Sequence, residues 1–321
     1  MVVLSIIATL TLQVADTVPP PAAVESSYTV RNAGLELGGT LTTPRTATGR
    51  VPLVVIIAGS GPTDRNGNSM LGIRPNSYAQ LAWRLAERGI ASLRYDKRAL
   101  PGTKGTVDIA NLSLEDFAAD ARAAAESLAH DTRFSRVVLL GHSEGASLAL
   151  IAARAGAPVS AVISVSGFGR PFGVVVREQL ARQFDSAALV RYDTAMAQYL
   201  RGETPKDVPS NMALLFVPIN QHFMKSLATF DPPAAIRAVR QPVLIVQGGQ
   251  DLQVTVADAE RLHSGKPDAQ LVVIPQANHV LKRTTDTTLQ GQMRTTYQDP
   301  TAPIMPEVVD AIAAWVAKLG K

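Results

Sequence analysis

From about residue 26 onward the chain switches repeatedly between the two-residue hydrophobic period of a strand and the longer period of a helix. Residues 26–32 and 35–43, broken at Asn32-Ala33-Gly34, predict an antiparallel hairpin. Residues 51–58, VPLVVIIA, are apolar throughout and of strand length, which predicts a central strand covered on both faces. Residues 76–88 carry Tyr78, Leu81, Ala82 and Leu85 at helical spacing and stop at Gly89; a short strand at 90–95 follows. Ser113 opens a second helix with a capping-box-like Ser-x-x-Asp, and Phe117, Ala121, Ala124 and Leu128 form its apolar stripe. Downstream, 136–140, 158–165, 241–247 and 269–274 read as strands. Residues 144–154, 256–263 and 306–319 read as helices.

This alternation predicts an α/β fold with a mostly parallel, doubly wound sheet and helices on both faces. It fails once. Between Ser166 and Asp231 there is no strand pattern but three helical ones, at 174–184, 187–200 and 212–229. An insertion of that kind predicts a helical cap over the carboxyl ends of the strands. The expected organisation is an apolar N-terminal segment (1–25), a first part of the core (26–166), the cap (167–231) and a second part of the core (232–321). Residues 282–302 are polar and are expected to form an irregular surface loop. Residues 1–15, MVVLSIIATLTLQVA, have the length of a signal-peptide hydrophobic region, though the first cation is Arg31; they predict export to the periplasm or outside, the alternative being a cytoplasmic protein.

Composition narrows the chemistry. The chain has no cysteine, which excludes a disulfide scaffold, a thiolate metal site and a cysteine nucleophile. Its 31 Lys plus Arg against 27 Asp plus Glu leave a net charge of only +4, without a basic run, and 5% aromatics offer little for base stacking. No nucleic-acid partner is implied. No stretch reaches the roughly 18 apolar residues of a stable membrane span.

The residues that carry chemistry begin at Gly141-His142-Ser143-Glu144-Gly145, a G-x-S-x-G between a hydrophobic strand and an Ala/Leu-rich helix. Two glycines allow a strained strand-to-helix turn that lifts a serine hydroxyl clear of the sheet. A serine alcohol is a weak nucleophile and needs a base held by a third group, and in this kind of fold the order is Ser, acid, His. Asp251 stands just after the strand at 241–247, whereas the strand at 158–165 ends in Ser164, Val165, Ser166 and Gly167 with no acid. Asp258 and Glu260, in the following helix, read as solvated surface charge. His279 follows the strand at 269–274 and is placed to reach both Ser143 and Asp251. Of the other histidines, His130 and His263 end helices, His142 packs against the turn, and His222 lies in the cap.

Acyl transfer also needs donors aimed at the developing oxyanion. The expected pair are the backbone N–H groups of Glu144, next to the serine, and Ser60, in the small-residue loop after residues 51–58. That loop does not read as a phosphate cradle, because G-x-G-x-x-G would require glycine at Asp64 and no Walker lysine is present.

Around these residues the chain resembles the α/β-hydrolase superfamily, and within it bacterial serine esterases of the branch grouped with serine aminopeptidases. The matching stretches are GHSEG, IIAGSGPTDRNGN, ASLRYDKR, VLIVQGGQDLQV and NHVLK, spread over nearly the whole chain. The resemblance implies an eight-stranded sheet, a helical cap, no cofactor, and hydrolysis of small-molecule esters of short- to medium-chain acids. It assigns the nucleophile to Ser143, the acid to Asp251, the base to His279 and the oxyanion donors to Ser60 and Glu144. Two departures stand out. Arg98 is followed by Ala99-Leu100-Pro101-Gly102-Thr103 where many relatives have Gly-x-Gly-x-Ser, and Ala58-Gly59 replaces a frequent His-Gly, so that Asp64 and Arg65 are expected to brace the loop instead.

For substrate binding the expected residues are His222 and Phe223, with Leu214, Leu215, Phe216 and Met224 as further apolar candidates in the cap. An aminopeptidase or amidase would instead need a cap carboxylate for a substrate ammonium, for which Glu178, Asp185 and Asp193 are available. A third possibility is a non-catalytic ligand-binding protein that keeps the hydrolase fold.

Overall fold

The computed structural model describes residues 17–319, so the signal-like stretch at 1–15 lies outside the described residues. Strands β1 (Ala23–Asn32) and β2 (Leu35–Pro44) form the hairpin, and Ala33 and Gly34 both take positive φ in its two-residue turn, which matches the twist of paired strands. There follow β3 (Val51–Ile57), α1 (Ser77–Ala86), β4 (Ala91–Tyr95), a two-residue β5 (Thr103–Lys104), α2 (Leu114–Ala129), β6 (Phe134–His142), α3 (Glu144–Arg154) and β7 (Ala161–Val165). The insertion then contributes α4 (Phe172–Ala181), α5 (Ser186–Leu200) and α6 (Gln221–Ala228). The chain ends with α7 (Pro232–Arg237), β8 (Val243–Gly248), α8 (Val256–Gly265), β9 (Gln270–Ile274), α9 (Leu289–Gln292) and α10 (Pro306–Lys318).

The sheet runs β1-β2-β4-β3-β6-β7-β8-β9, antiparallel for the first two pairings and parallel from β4 to β9; β5 adds a short ninth strand against β2. Strand β3 explains why its sequence is apolar without alternation. Leu53, Val55 and Ile57 belong to the apolar cluster on the face covered by α2 and α3, while Val54 and Ile56 belong to the one on the opposite face, which includes residues of α1 and α10. Each fully buried side chain of this size contributes about 1.5–3 kcal/mol. Strand order reverses between β3 and β6, so the loops leaving their carboxyl ends diverge and open a crevice there.

The insertion departs from expectation in one respect. The segment read as a single helix at 212–229 is two 3-10 turns, Ser210–Phe216 and Pro218–Asn220, followed by α6. Proline at 218 holds Val217 extended (φ −66°, ψ 122°) and supplies no N–H, so a continuous helix is interrupted there. The insertion has an apolar cluster of its own, built on Tyr192, Met196, Tyr199, Met212 and Phe216.

Two further expectations are corrected. Asp258 is fully buried, not solvated: it caps α8 and pairs through both oxygens with Arg170, at 2.9 and 2.7 Å, tying the root of the insertion to the core. Residues 282–302 are not a surface loop throughout. They fold as α9 and a π-helical turn at Met293–Tyr297, with Lys282, Gln292, Thr296 and Tyr297 buried. Much of their polarity is satisfied internally, although Gln292 Oε1 is buried without a partner among the described residues. Gln292 donates to the carbonyls of Gln250 and Asp286, Lys282 to that of Asp299, and Asn278 to the Thr296 hydroxyl at 2.7 Å.

Candidate active site

Ser143 sits between β6 and α3 with φ 56° and ψ −121°, a conformation costly for a residue with a Cβ and held here by its surroundings. The flanking glycines are required by contact rather than by conformation, since neither takes a positive φ. A Cβ on Gly141 would lie 2.0 Å from the Gly145 carbonyl oxygen, and one on Gly145 would lie 2.3 Å from that of Ile57. The Ser143 N–H is fixed by the Val165 carbonyl at 2.9 Å, so the end of β7 holds the turn.

Asp251 and His279 come from the turns after β8 and β9, which are themselves joined by the Gln250 N–H donating to the Ala277 carbonyl at 2.9 Å. Asp251 Oδ1 accepts from the N–H groups of Gln253 (2.8 Å) and Val254 (2.9 Å), and Oδ2 accepts from His279 Nδ1 at 2.8 Å. Burial alone would raise the Asp251 carboxyl, but the neighbouring His279 and these donors outweigh it and hold it below the usual range. It is therefore a carboxylate, and His279 Nδ1 carries the proton between them. This leaves Nε2 as the basic nitrogen. No hydrogen bond joins Ser143 to His279, but both line one cavity of about 320 Å³.

The loop after β3 carries Ser60, which is exposed at the same cavity, while Gly59 beneath it is held from two sides. Its N–H donates to Tyr78 Oη (3.1 Å) and its carbonyl accepts from Lys97 Nζ (2.6 Å). Farther along, Asp64 Oδ1 accepts from the N–H groups of Asn66 and Asn68, both at 2.8 Å, and Asp96 accepts from the Arg65 N–H and guanidinium. Asp64 and Arg65 thus brace this loop, by two different routes. Neither the Ser60 N–H nor the Glu144 N–H has an acceptor among the described residues.

His142 does more than pack. Its Nε2 lies 2.8 Å from the His279 carbonyl, which can only accept, so Nε2 carries the proton. Nδ1, 2.8 Å from Tyr78 Oη, then accepts the phenol proton, completing a chain from Gly59 N–H through Tyr78 and His142 to the backbone of His279. Burial, reinforced by His279, pushes the His142 imidazole down to about 3, so the ring is neutral across the neutral range. An unfolded chain protonates this histidine below about pH 6.5 while the folded one does not until about 3. Stability from this group is therefore complete above pH 6.5 and lost as pH falls through that window. His142→Gln keeps one acceptor and one donor, and is expected to remove up to ~1.4 kcal/mol per pH unit of acid sensitivity between pH 6 and 4, read from denaturant unfolding.

The residues expected to bind substrate divide. Leu215 lines the cavity, together with Ile73, Phe168, Phe172, Val176, Leu180, Val280 and Tyr297. His222 and Phe223 do not. His222 is exposed, with Nδ1 bonding the Leu112 carbonyl at 2.9 Å, and Phe223 stacks edge-on against Phe117 and lines a separate cavity with Lys97 and Glu144. Phe216 and Met224 belong to the insertion's own core, and Leu214 is exposed. The signal for the true lining was present in the recurrence of Phe172, Val176 and Leu180 every four residues along α4. The cap carboxylates are engaged elsewhere: Glu178 with Arg170 and Arg182, Asp185 as the N-cap of α5, Asp193 with Arg177. No Asp, Glu, Lys or Arg is among the described residues that line the cavity.

Known proteins share this arrangement of chain. The sequence is 30% identical to esterase EstD of Thermotoga maritima over 311 residues, 94% of this chain and 70% of that one. Its structure is similar to Est1E of Butyrivibrio proteoclasticus (TM-score 0.60, 17% identity, 91% of this chain and 98% of that one), solved with ferulic acid bound. It is also similar to a proline iminopeptidase of Mycobacterium smegmatis (TM-score 0.59, 17% identity, 91% and 98%), so the fold by itself spans ester and peptide chemistry. The alpha/beta hydrolase family matches residues 54–281, which run from β3 through the serine elbow and the insertion to the turn bearing His279. By sequence, by strand order and by that elbow, this chain belongs to the α/β-hydrolase family.

Proposed function

We propose that the protein is a serine hydrolase that cleaves carboxylic esters of short- to medium-chain acids through an acyl-enzyme. Ser143 is the nucleophile, His279 the base, Asp251 the carboxylate that orients it, and the N–H groups of Ser60 and Glu144 the oxyanion donors. His279 Nε2 takes the Ser143 proton as Oγ adds to the ester carbonyl carbon. The tetrahedral intermediate collapses with expulsion of the alcohol, which receives that proton, and water repeats the cycle to free the acid.

The observation that carries the choice of ester is the lining of the cavity. Beside its apolar side chains it offers only uncharged polar ones such as Thr63, Gln179 and Gln253, and no Asp, Glu, Lys or Arg, so a neutral acyl group is accommodated and a substrate ammonium finds no counter-ion. Its volume of about 320 Å³ is at the small end of ligand cavities, which span roughly 300–1,000 Å³, and favours short acyl chains. The esterase name of the Thermotoga maritima relative points the same way. The test is a series of p-nitrophenyl esters from acetate to laurate beside amino-acid p-nitroanilides, with fluorophosphonate labelling of the folded protein. Ester turnover highest at the shorter chains and labelling at Ser143 are expected; faster turnover of the anilides, or an unlabelled Ser143, contradicts the reading.

A further inference from the structure

Three consecutive charged residues after β4, Asp96, Lys97 and Arg98, are all buried, and two of them have structural partners. Asp96 holds Arg65, and Arg98 pairs with Asp120 of α2 at 2.6 and 2.7 Å. Lys97 is different. It is 6% exposed, and its ammonium donates to the Gly59 carbonyl at 2.6 Å and reaches Glu144 Oε1 at 3.4 Å. These are the two places from which the oxyanion donors come. The strand register explains the meeting: β3 and β4 are parallel with Ile56 opposite Arg94, and Gly59 and Lys97 each lie three residues farther along.

We infer that Lys97 is a positioning residue for the oxyanion hole. The inference rests on the esterase reading above. The Gly59 carbonyl and the Ser60 N–H belong to one peptide unit, and no peptide bond among the described residues is cis. In a planar trans peptide the two point in opposite directions, so anchoring the carbonyl inward on Lys97 fixes the N–H outward, toward the cavity where Ser60 is exposed. The same hydrogen bond polarises the amide and makes its N–H a stronger donor in a site of low dielectric. The Gly59 N–H, held by Tyr78, removes the remaining freedom of the loop at that point. Lys97 thus acts on the transition state without touching substrate, and contributes little to ground-state binding.

The experiment compares wild type, Lys97→Met and Lys97→Arg on p-nitrophenyl butyrate, and measures affinity for a trifluoromethyl ketone, whose hemiketal oxyanion occupies the hole. Removal of one oxyanion donor outright costs about 10²–10³ in kcat, so misorienting one through Lys97→Met is expected to lower kcat roughly 10- to 100-fold. KM is expected to stay within about twofold, and ketone affinity to fall by the same factor as kcat/KM. Lys97→Arg keeps a donor and is expected to recover part of the loss. Unchanged kcat in Lys97→Met, a change confined to KM, or a kcat loss with undiminished ketone affinity each overturns the inference. Lys97→Met also strips the buried Glu144 carboxylate of its partner; where that prevents folding, the same comparison is made between Glu144→Gln and Glu144→Gln/Lys97→Met, with the same factor expected. Failure of the esterase reading is seen separately, as absence of ester turnover in wild type.

Discussion

Ser143→Ala is expected to lower kcat for p-nitrophenyl butyrate by about 10⁴- to 10⁶-fold, the loss of roughly 5–8 kcal/mol of transition-state stabilisation. The variant should leave the fold intact. Ser143 makes no side-chain hydrogen bond, and alanine keeps the Cβ that already tolerates φ 56°, so unfolding free energy is expected to change by less than about 1 kcal/mol. The residual rate would come from the oxyanion donors and from binding alone. Paired measurements of turnover and denaturant midpoint check it. A Ser143→Ala protein that is folded and turns over within tenfold of wild type removes the acyl-enzyme mechanism.

The second large effect is expected at Asp251, and its direction follows from which groups surround each oxygen. An asparagine there must still offer an oxygen to the N–H groups of Gln253 and Val254, which now bond Oδ1. Its amide NH₂ then faces His279 Nδ1, where Oδ2 now accepts. A donor at that position forces the imidazole proton onto Nε2, the nitrogen that in the proposed mechanism takes the proton from Ser143. Asp251→Asn is therefore expected to cost about 10⁴ in kcat while KM changes little. The pH profile provides the distinguishing readout: part of the loss should be recovered at high pH, where the serine proton is more easily lost without a base. A loss below tenfold means that the carboxylate does not set the tautomer.

The positions of Ser143, Asp251 and His279 could be read because each follows a strand whose apolar run is unmistakable, and in a parallel sheet all strand ends of that kind lie on one side. The two glycines around Ser143 carry further information, since each stands where a Cβ would strike backbone. What the sequence conceals is which polar residues are buried. Tyr78 sits on the apolar stripe of α1 and reads as core, yet its hydroxyl links the Gly59 loop to His142. Residues 282–302 look solvated because local polarity does not reveal that Thr296 accepts from Asn278 and that Gln292 donates to the Gln250 carbonyl. The same blindness reverses Asp258. His222 and Phe223 read as cavity residues, but after the break at Pro218 α6 leaves His222 exposed and sets Phe223 against Phe117, which a hydrophobic period does not express.

The order of the strands also bears on how this protein becomes active as it folds. The serine elbow forms at the middle of the sheet, but Asp251 and His279 arrive on β8 and β9, at one edge and more than a hundred residues later. Pairings of such long sequence separation are entropically costly to close and slow to form. A chain with its central strands assembled and its last two undocked would have most of its core and neither Asp251 nor His279 beside its serine. Hydrolytic activity in a refolding experiment therefore times the docking of the final edge strands, and lags any probe that reports the centre of the sheet.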